Sequence, residues 1–217
     1  MSQSGKGRGG GAGPRIAGTI EGDMQPCWLC GRSVAARALF CHACGAVQPP
    51  RAGLDHFARL GLERRFDIEL EALNRQFNGL GRALDPDRFV ARGKRQQEHA
   101  RAQADALAEG YEVLRDPVRR ARYLLDLLGA GPLENDPGEP ADVTALRGEL
   151  AAATDALTVD RLALDVEQRI EACIRELAMA FRAGLTATAR RVVARLEELE
   201  DIAAEARERR ATLGPAP

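Results

Sequence analysis

Leu70, Leu73, Phe77, Leu80 and Leu84 fall three or four positions apart, and Ala100, Ala104, Leu107, Tyr111 and Leu114 repeat that spacing further on. Each set lines one face of a helix. Two apolar stripes so close in sequence bury against each other, which predicts an antiparallel helical hairpin. Its exposed tip is Leu84-Asp85-Pro86-Asp87-Arg88-Phe89. There Pro86 pre-sets φ, and the Asp85 and Asp87 carboxylates can take nearby backbone N–H groups. Before the hairpin, Asp55 caps a short helix that Gly61 ends, and Asp67 is placed to cap the first long helix. Gly79 and Gly81 inside that helix each cost about 1 kcal/mol relative to alanine. Either something packs closely there or the helix end is loose. The charged stretch Arg92 to Arg101 reads as a solvated loop and helix start.

Asp116-Pro117 restarts the chain as N-cap and first helical residue. Val118, Ala121, Leu125 and Leu128 form the next stripe, and Gly129 stops it. Residues 130–140, rich in Pro and Gly, read as an inter-domain linker. Three more stripes follow. The first is Val143, Leu146, Leu150 and Leu157. The second is Leu162, Val166, Ile170, Cys173, Leu177 and Phe181. The third is Leu185, Val192, Leu196, Leu199 and Ala206, with Gly184 breaking the chain before it. Short connections make these helices antiparallel neighbours over 141–211, a three-helix bundle. Cys173 lies on a buried stripe and reads as a small core residue.

Composition narrows the picture. The chain has 217 residues, 45% of them hydrophobic and only 4% aromatic. This suits an all-α protein with real cores. A net charge of −1 gives no support to a nucleic-acid binder. No apolar run approaches the roughly 20 residues that span a membrane, and no secretory signal stands at the start. Residues 1–23 are Gly-rich with scattered cations and read as a disordered tail. The expectation is a soluble, cytoplasmic protein.

The strongest chemical signal is Cys27-Trp28-Leu29-Cys30-Gly31, then Cys41-His42-Ala43-Cys44-Gly45 after ten intervening residues counted from Cys30. Each C-x-x-C turn offers two thiolates to a tetrahedral metal. The glycine that follows suits a tight knuckle needing φ > 0. A module of this size, spanning 24–48, cannot build a core alone, so a structural zinc held by Cys27, Cys30, Cys41 and Cys44 would supply its folding energy. Four thiolates leave no open position for water, which argues against a catalytic metal, and His42 is a spectator. Two disulfides or a redox pair are the rival reading. Val47 to Gly53 is a linker by its Pro and Gly content, leading to a helical unit over 52–129. No nucleophile beside a histidine, no phosphate-cradling loop and no purposeful carboxylate pair appears, so no catalytic residue is assigned.

The order of parts resembles a known family. A tetracysteine module runs into Asp55-His56-Phe57-Ala58-Arg59-Leu60-Gly61-Leu62. A helix pair surrounds Leu84-Asp85-Pro86-Asp87-Arg88-Phe89, and Leu114-Arg115-Asp116-Pro117-Val118-Arg119-Arg120-Ala121-Arg122-Tyr123-Leu124-Leu125 follows. Over about residues 25–211 this is similar to the J-protein co-chaperones of iron–sulfur cluster assembly, the HscB type with an N-terminal zinc module. The resemblance implies a J-like domain at 52–129 that stimulates a DnaK/HscA-type ATPase chaperone through a His-Pro-Asp loop and a basic face on the preceding helix. It implies that the C-terminal bundle holds an iron–sulfur scaffold protein, with self-association as a further contact of such a bundle. The chaperone-facing residues carried over are Asp85, Pro86, Asp87 and Arg88, with Arg75 and Arg82 as the basic face.

Two departures stand out. The loop histidine is Asp85, and an ionised carboxylate accepts hydrogen bonds without donating any. Where the family presents apolar residues to its scaffold, this chain has Thr144, Ala145, Gly148 and Glu198, and only Glu149 matches. A co-chaperone that drives ATP hydrolysis and a J-like adaptor that binds without stimulating are therefore both expected readings. A zinc-ribbon nucleic-acid binder could use Arg32, Arg37 and Arg51, but it lacks a basic stripe with interleaved aromatics.

Overall fold

The computed structural model describes residues 24–130 and 140–213. The tail expected over 1–23 and the linker positions 131–139 lie outside the described residues. Two short antiparallel strands, β1 (Met24–Pro26) and β2 (Ser33–Ala35), open the fold, with Met24 opposite Ala35. Then come α1 (His56–Arg59), α2 (Leu70–Ala83), a 3-10 helix (Pro86–Arg92), α3 (Lys94–Arg115) and α4 (Pro117–Leu127). The last three helices are α5 (Ala141–Ala152), α6 (Ala156–Arg182) and α7 (Thr186–Leu213). The fold is all-α apart from the small hairpin beside the cysteines.

Local chemistry accounts for most of the helix ends. Asp55, Asp116 and Asp155 each accept the backbone N–H three residues on, from Ala58, Arg119 and Thr158 at 2.8–2.9 Å, which satisfies an orphan donor of the first turn. Gly61, Gly129 and Gly184 close α1, α4 and α6 with the same pair of bonds. In α4 these run from Ala130 N–H to the Leu125 carbonyl and from Gly129 N–H to the Asp126 carbonyl, both 3.0 Å, the two-bond arrangement that satisfies terminal carbonyls. Asp67 does not cap α2. Glu69 holds that position and makes no side-chain bond to the helix. Asp67 is drawn away by Arg65 and Arg182, each 2.8 Å from its carboxylate.

The hairpin of α2 and α3 buries Leu73, Leu84, Ala100, Leu107 and Leu114, and Phe77 stacks on Tyr111 with ring centroids 4.2 Å apart. Leu70, at the first position of α2, is half exposed. Nothing lies within 4 Å of where a Cβ on Gly79 or Gly81 would sit. Close packing is thus not the reason for these glycines. Gly110 is different: a Cβ there would meet the His56 ring at 3.1–3.4 Å, so the missing side chain lets α1 lie on α3. Arg120, which lies on none of the apolar stripes, is buried. It donates to the Leu114 carbonyl at 2.5 Å and lies over the Phe66 ring at 4.8 Å.

In the C-terminal bundle, Val143, Leu146 and Leu150 of α5 meet Leu162, Val166, Cys173 and Leu177 of α6 and Val192, Leu196, Leu199 and Ala206 of α7. Leu157 is a correction. It belongs to α6, two residues after the Asp155 cap, and is 73% exposed. Leu128 and Leu185 are also exposed, since each lies in the turn that ends or precedes a helix. The hairpin unit and the bundle share one continuous core. Phe66 stacks on Phe181 at 5.4 Å, and Arg122 of α4 pairs with Glu197 of α7. No helix among the described residues is long and apolar enough to cross a membrane.

Candidate functional site

Both C-x-x-C-G segments fold as the same turn. Gly31 N–H donates to the Cys27 carbonyl at 2.9 Å, and Gly45 N–H donates to the Cys41 carbonyl at 2.8 Å. The two glycines have φ of 72° and 69°, a region that side-chain-bearing residues avoid. The turns face each other, so the sulfurs of Cys27, Cys30, Cys41 and Cys44 all lie within 4.8 Å of one another. Across the turns, Cys27 to Cys44 is 3.8 Å and Cys30 to Cys41 is 3.7 Å. Metal–sulfur bonds of about 2.3 Å in a tetrahedron give a sulfur–sulfur edge of about 3.8 Å, while a disulfide needs about 2.05 Å. The donor set therefore fits a four-coordinate metal ion. His42 is exposed beside this cluster and belongs to none of its ligand pairs.

The electrostatics agree. Burial pushes the Cys27 thiol up, but the backbone N–H groups of Cys30 and Leu29 and the Gln48 amide outweigh it and bring the value down to about 6. At Cys44 the Ala46 N–H pulls the value down, yet burial and the other three sulfurs drive it up to about 12. Four sulfurs this close cannot all hold negative charge unless a cation sits among them.

The module is docked on the hairpin, which corrects two expectations. Val47 and Gln48 are not linker, being 0% and 3% exposed. The start of α3 is not simply solvated. Val47 N–H donates to Gln96 Oε1 at 3.0 Å, and Gln103 Nε2 donates to the Gln48 carbonyl at 2.9 Å. Trp28 Nε1 donates to the Val47 carbonyl at 2.7 Å, with the Arg95 guanidinium 4.5 Å over its ring and His99 edge-on at 5.1 Å. Arg92 reaches the Gly45 carbonyl at 3.3 Å, and Phe40 stacks on Phe89. Gln48 joins these contacts to the cluster, since its Nε2 donates to Cys27 Sγ at 3.4 Å. One signal for this was in the sequence: Gln96 and Gln103 continue the buried stripe of Ala100, Leu107 and Leu114. A buried amide needs a polar partner.

The loop residues sit together at the hairpin tip. Asp85 is the N-cap of the 3-10 helix, and its carboxylate accepts Asp87 N–H at 3.1 Å. Pro86 is the first helical residue, and Arg88 donates to the Arg82 carbonyl at 3.0 Å, tying the helix back to the end of α2. Asp85, Asp87, Arg88, Arg75 and Arg82 are all exposed. Arg75 is already paired with Glu71 at 3.6 Å, leaving α2 a thin basic face. On α5, Glu149 is exposed beside Thr144, Ala145 and Gly148. Glu198 of α7 is engaged by Arg147 at 2.7 Å, which also pairs with Glu205.

This architecture has close relatives. The chain is 35% identical over 158 residues to the co-chaperone protein HscB homolog of Paraburkholderia phymatum, covering 69% of this chain and 90% of that one. The chain belongs to the HscB co-chaperone family. The iron–sulfur cluster co-chaperone protein HscB homolog of Arabidopsis thaliana is 26% identical over 149 residues; the match takes in 67% of this chain and 58% of that relative's length. Among solved structures, human co-chaperone protein HscB superposes with a TM-score of 0.76 at 21% identity, covering 87% of this chain and all of that one. No protein-family model matches the chain.

Proposed function

We propose that this chain is a cytoplasmic co-chaperone of iron–sulfur cluster biogenesis. In this reading the J-like unit at 52–129 contacts a DnaK/HscA-type chaperone through Asp85, Pro86, Asp87 and Arg88, with Arg75 and Arg82 beside them. The bundle at 141–211 holds a cluster scaffold protein on the face that includes Glu149. The four cysteines bind one structural zinc, and the chain does no covalent chemistry. The observation that carries the reading is the exposed acid–proline–acid turn at the tip of the hairpin, in a chain of the HscB family. Pro86 and Asp87 match the family pattern of the loop and open the 3-10 helix.

Asp85 supports a second reading, an adaptor that binds without stimulating ATP hydrolysis. Its carboxylate is committed to the Asp87 N–H, and a carboxylate accepts hydrogen bonds without donating any. The deciding experiment is the steady-state ATPase rate of the same cell's DnaK/HscA-type chaperones with this protein and with Asp85→His. Stimulation by the natural protein supports the co-chaperone reading. Stimulation by the histidine variant alone supports the adaptor, and a flat rate with both refutes a stimulating role for the loop.

A further inference from the structure

The docked metal module does more than brace α3, because it joins two stretches of the same charge. Residues 24–54 carry Arg32, Arg37 and Arg51 and no acidic residue. Residues 88–104 carry five cations against the single Glu98. The Arg92–Gly45, Arg95–Trp28 and Phe40–Phe89 contacts hold these stretches together. A four-thiolate centre around a divalent ion brings a net double negative charge, and cations still outnumber anions over the joined surface. Arg32, Arg37, Arg92, Lys94 and Arg95 are all exposed. At about 2.0 Å of rise per residue in a 3-10 helix, Arg92 lies about 10 Å along the axis from Asp87. This basic surface thus begins one short helix away from the loop tip and carries five exposed cations, of which Lys94 is paired with Glu98, whereas α2 offers only Arg82 and Arg75, the latter paired in the same way with Glu71.

We propose that this surface, shared by the metal module and the start of α3, is a docking site for an acidic face of the chaperone. It extends the loop contact and replaces the basic face that α2 lacks. The proposal rests on the chaperone reading above. Nucleic acid fits less well, since single strands are bound on exposed aromatic faces. Here Trp28 is covered by Arg95 and His99, and Phe40 is stacked on Phe89. Opposed surface charges speed encounter and lose strength as salt screens them.

The test uses the full, zinc-loaded chain and the same cell's DnaK-type chaperone with ATP, measuring Kd between roughly 50 and 300 mM salt. The triple variant Arg32→Glu/Arg37→Glu/Lys94→Glu alters no side chain that bonds the module to α3. Zinc content and Trp28 emission check that the module stays docked, and the corresponding triple glutamine variant is used if it does not. The expected result is at least tenfold weaker binding at low salt and a much flatter salt dependence. Binding within twofold of the natural protein, with Pro86→Ala/Asp87→Ala abolishing it, overturns the proposal and leaves the chaperone reading standing. No binding by the natural protein at any salt overturns both. Unchanged chaperone binding together with lost affinity for random duplex DNA assigns the surface to nucleic acid and also overturns the proposal.

Discussion

Replacing Gln96 by leucine should undock the metal module while leaving the helical hairpin folded. Leucine is one atom shorter than glutamine, but it favours the helix as well and keeps the stripe apolar. What it removes is the one partner of Val47 N–H among the described residues, a donor on a residue with no exposed surface. Leaving a buried backbone donor unpaired costs about 1–3 kcal/mol. The cost is relieved if the module lifts off and Val47 meets water. With an m-value of about 1 kcal/mol/M in urea for so small a unit, the docking transition should fall by about 1–3 M. Trp28 is the chain's only tryptophan and lies in the interface, so its emission reports docking directly. Far-UV circular dichroism reports the helices. In Gln96→Leu the Trp28 transition should move to lower urea while the helical transition stays in place. If both move together, or if neither moves, the module is not held as a separable unit by this bond, and the reasoning fails.

Three other outcomes are expected. Purified protein should hold one zinc per chain, and chelation or acidification should release it and red-shift Trp28, because protons compete for the thiolates; elemental analysis beside the emission spectrum checks this. Asp67→Asn should destabilise the contact between the hairpin unit and α6 at neutral pH. Arg65 foremost, and then Arg182, holds the Asp67 carboxyl well below the usual carboxylate range. A depressed folded-state value stabilises above the unfolded value near 3.9 and loses that contribution as pH falls. The stability gap between natural protein and variant should thus narrow steadily below about pH 4.5 in urea titrations; a gap independent of pH would contradict it. Gly110→Ala should cost about 1–3 kcal/mol in thermal or urea unfolding through overpacking against His56, whereas Gly79→Ala, with open space around it, should stabilise α2.

What could be read from the sequence divides by range. The caps at Asp55, Asp116 and Asp155 and the stops at Gly61, Gly129 and Gly184 act over three to five residues, and for the first two and all three stops the sequence signals were sufficient. The cysteine cluster was legible for the same reason, since two C-x-x-C turns carry their own geometry. Asp67 failed as a predicted cap because its carboxylate is taken first by Arg65, two residues away, and then by Arg182, far along the chain. One local and one tertiary ion pair together outweighed the capping preference. Leu157 failed because periodicity alone does not mark where one helix ends and the next begins, whereas Asp155 two residues earlier does.

The misreading of Val47 and Gln48 as linker has a more general cause. Pro49, Pro50 and Gly53 identify irregular backbone, and irregular backbone is usually solvated because its polar groups need partners. Here those partners come from Gln96, Gln103 and Trp28. A segment without secondary structure is buried at no penalty when side chains from a neighbouring helix complete its hydrogen bonds. That makes metal occupancy and the loop end of the hairpin parts of one structure. Gln48 touches Cys27 with its side chain and α3 with its carbonyl, while Phe40 of the module stacks on Phe89 of the 3-10 helix that Asp85 caps. Loosening the thiolates removes support from the helix that begins at Pro86 and Asp87, so under the proposed function metal loss and chaperone contact should be coupled.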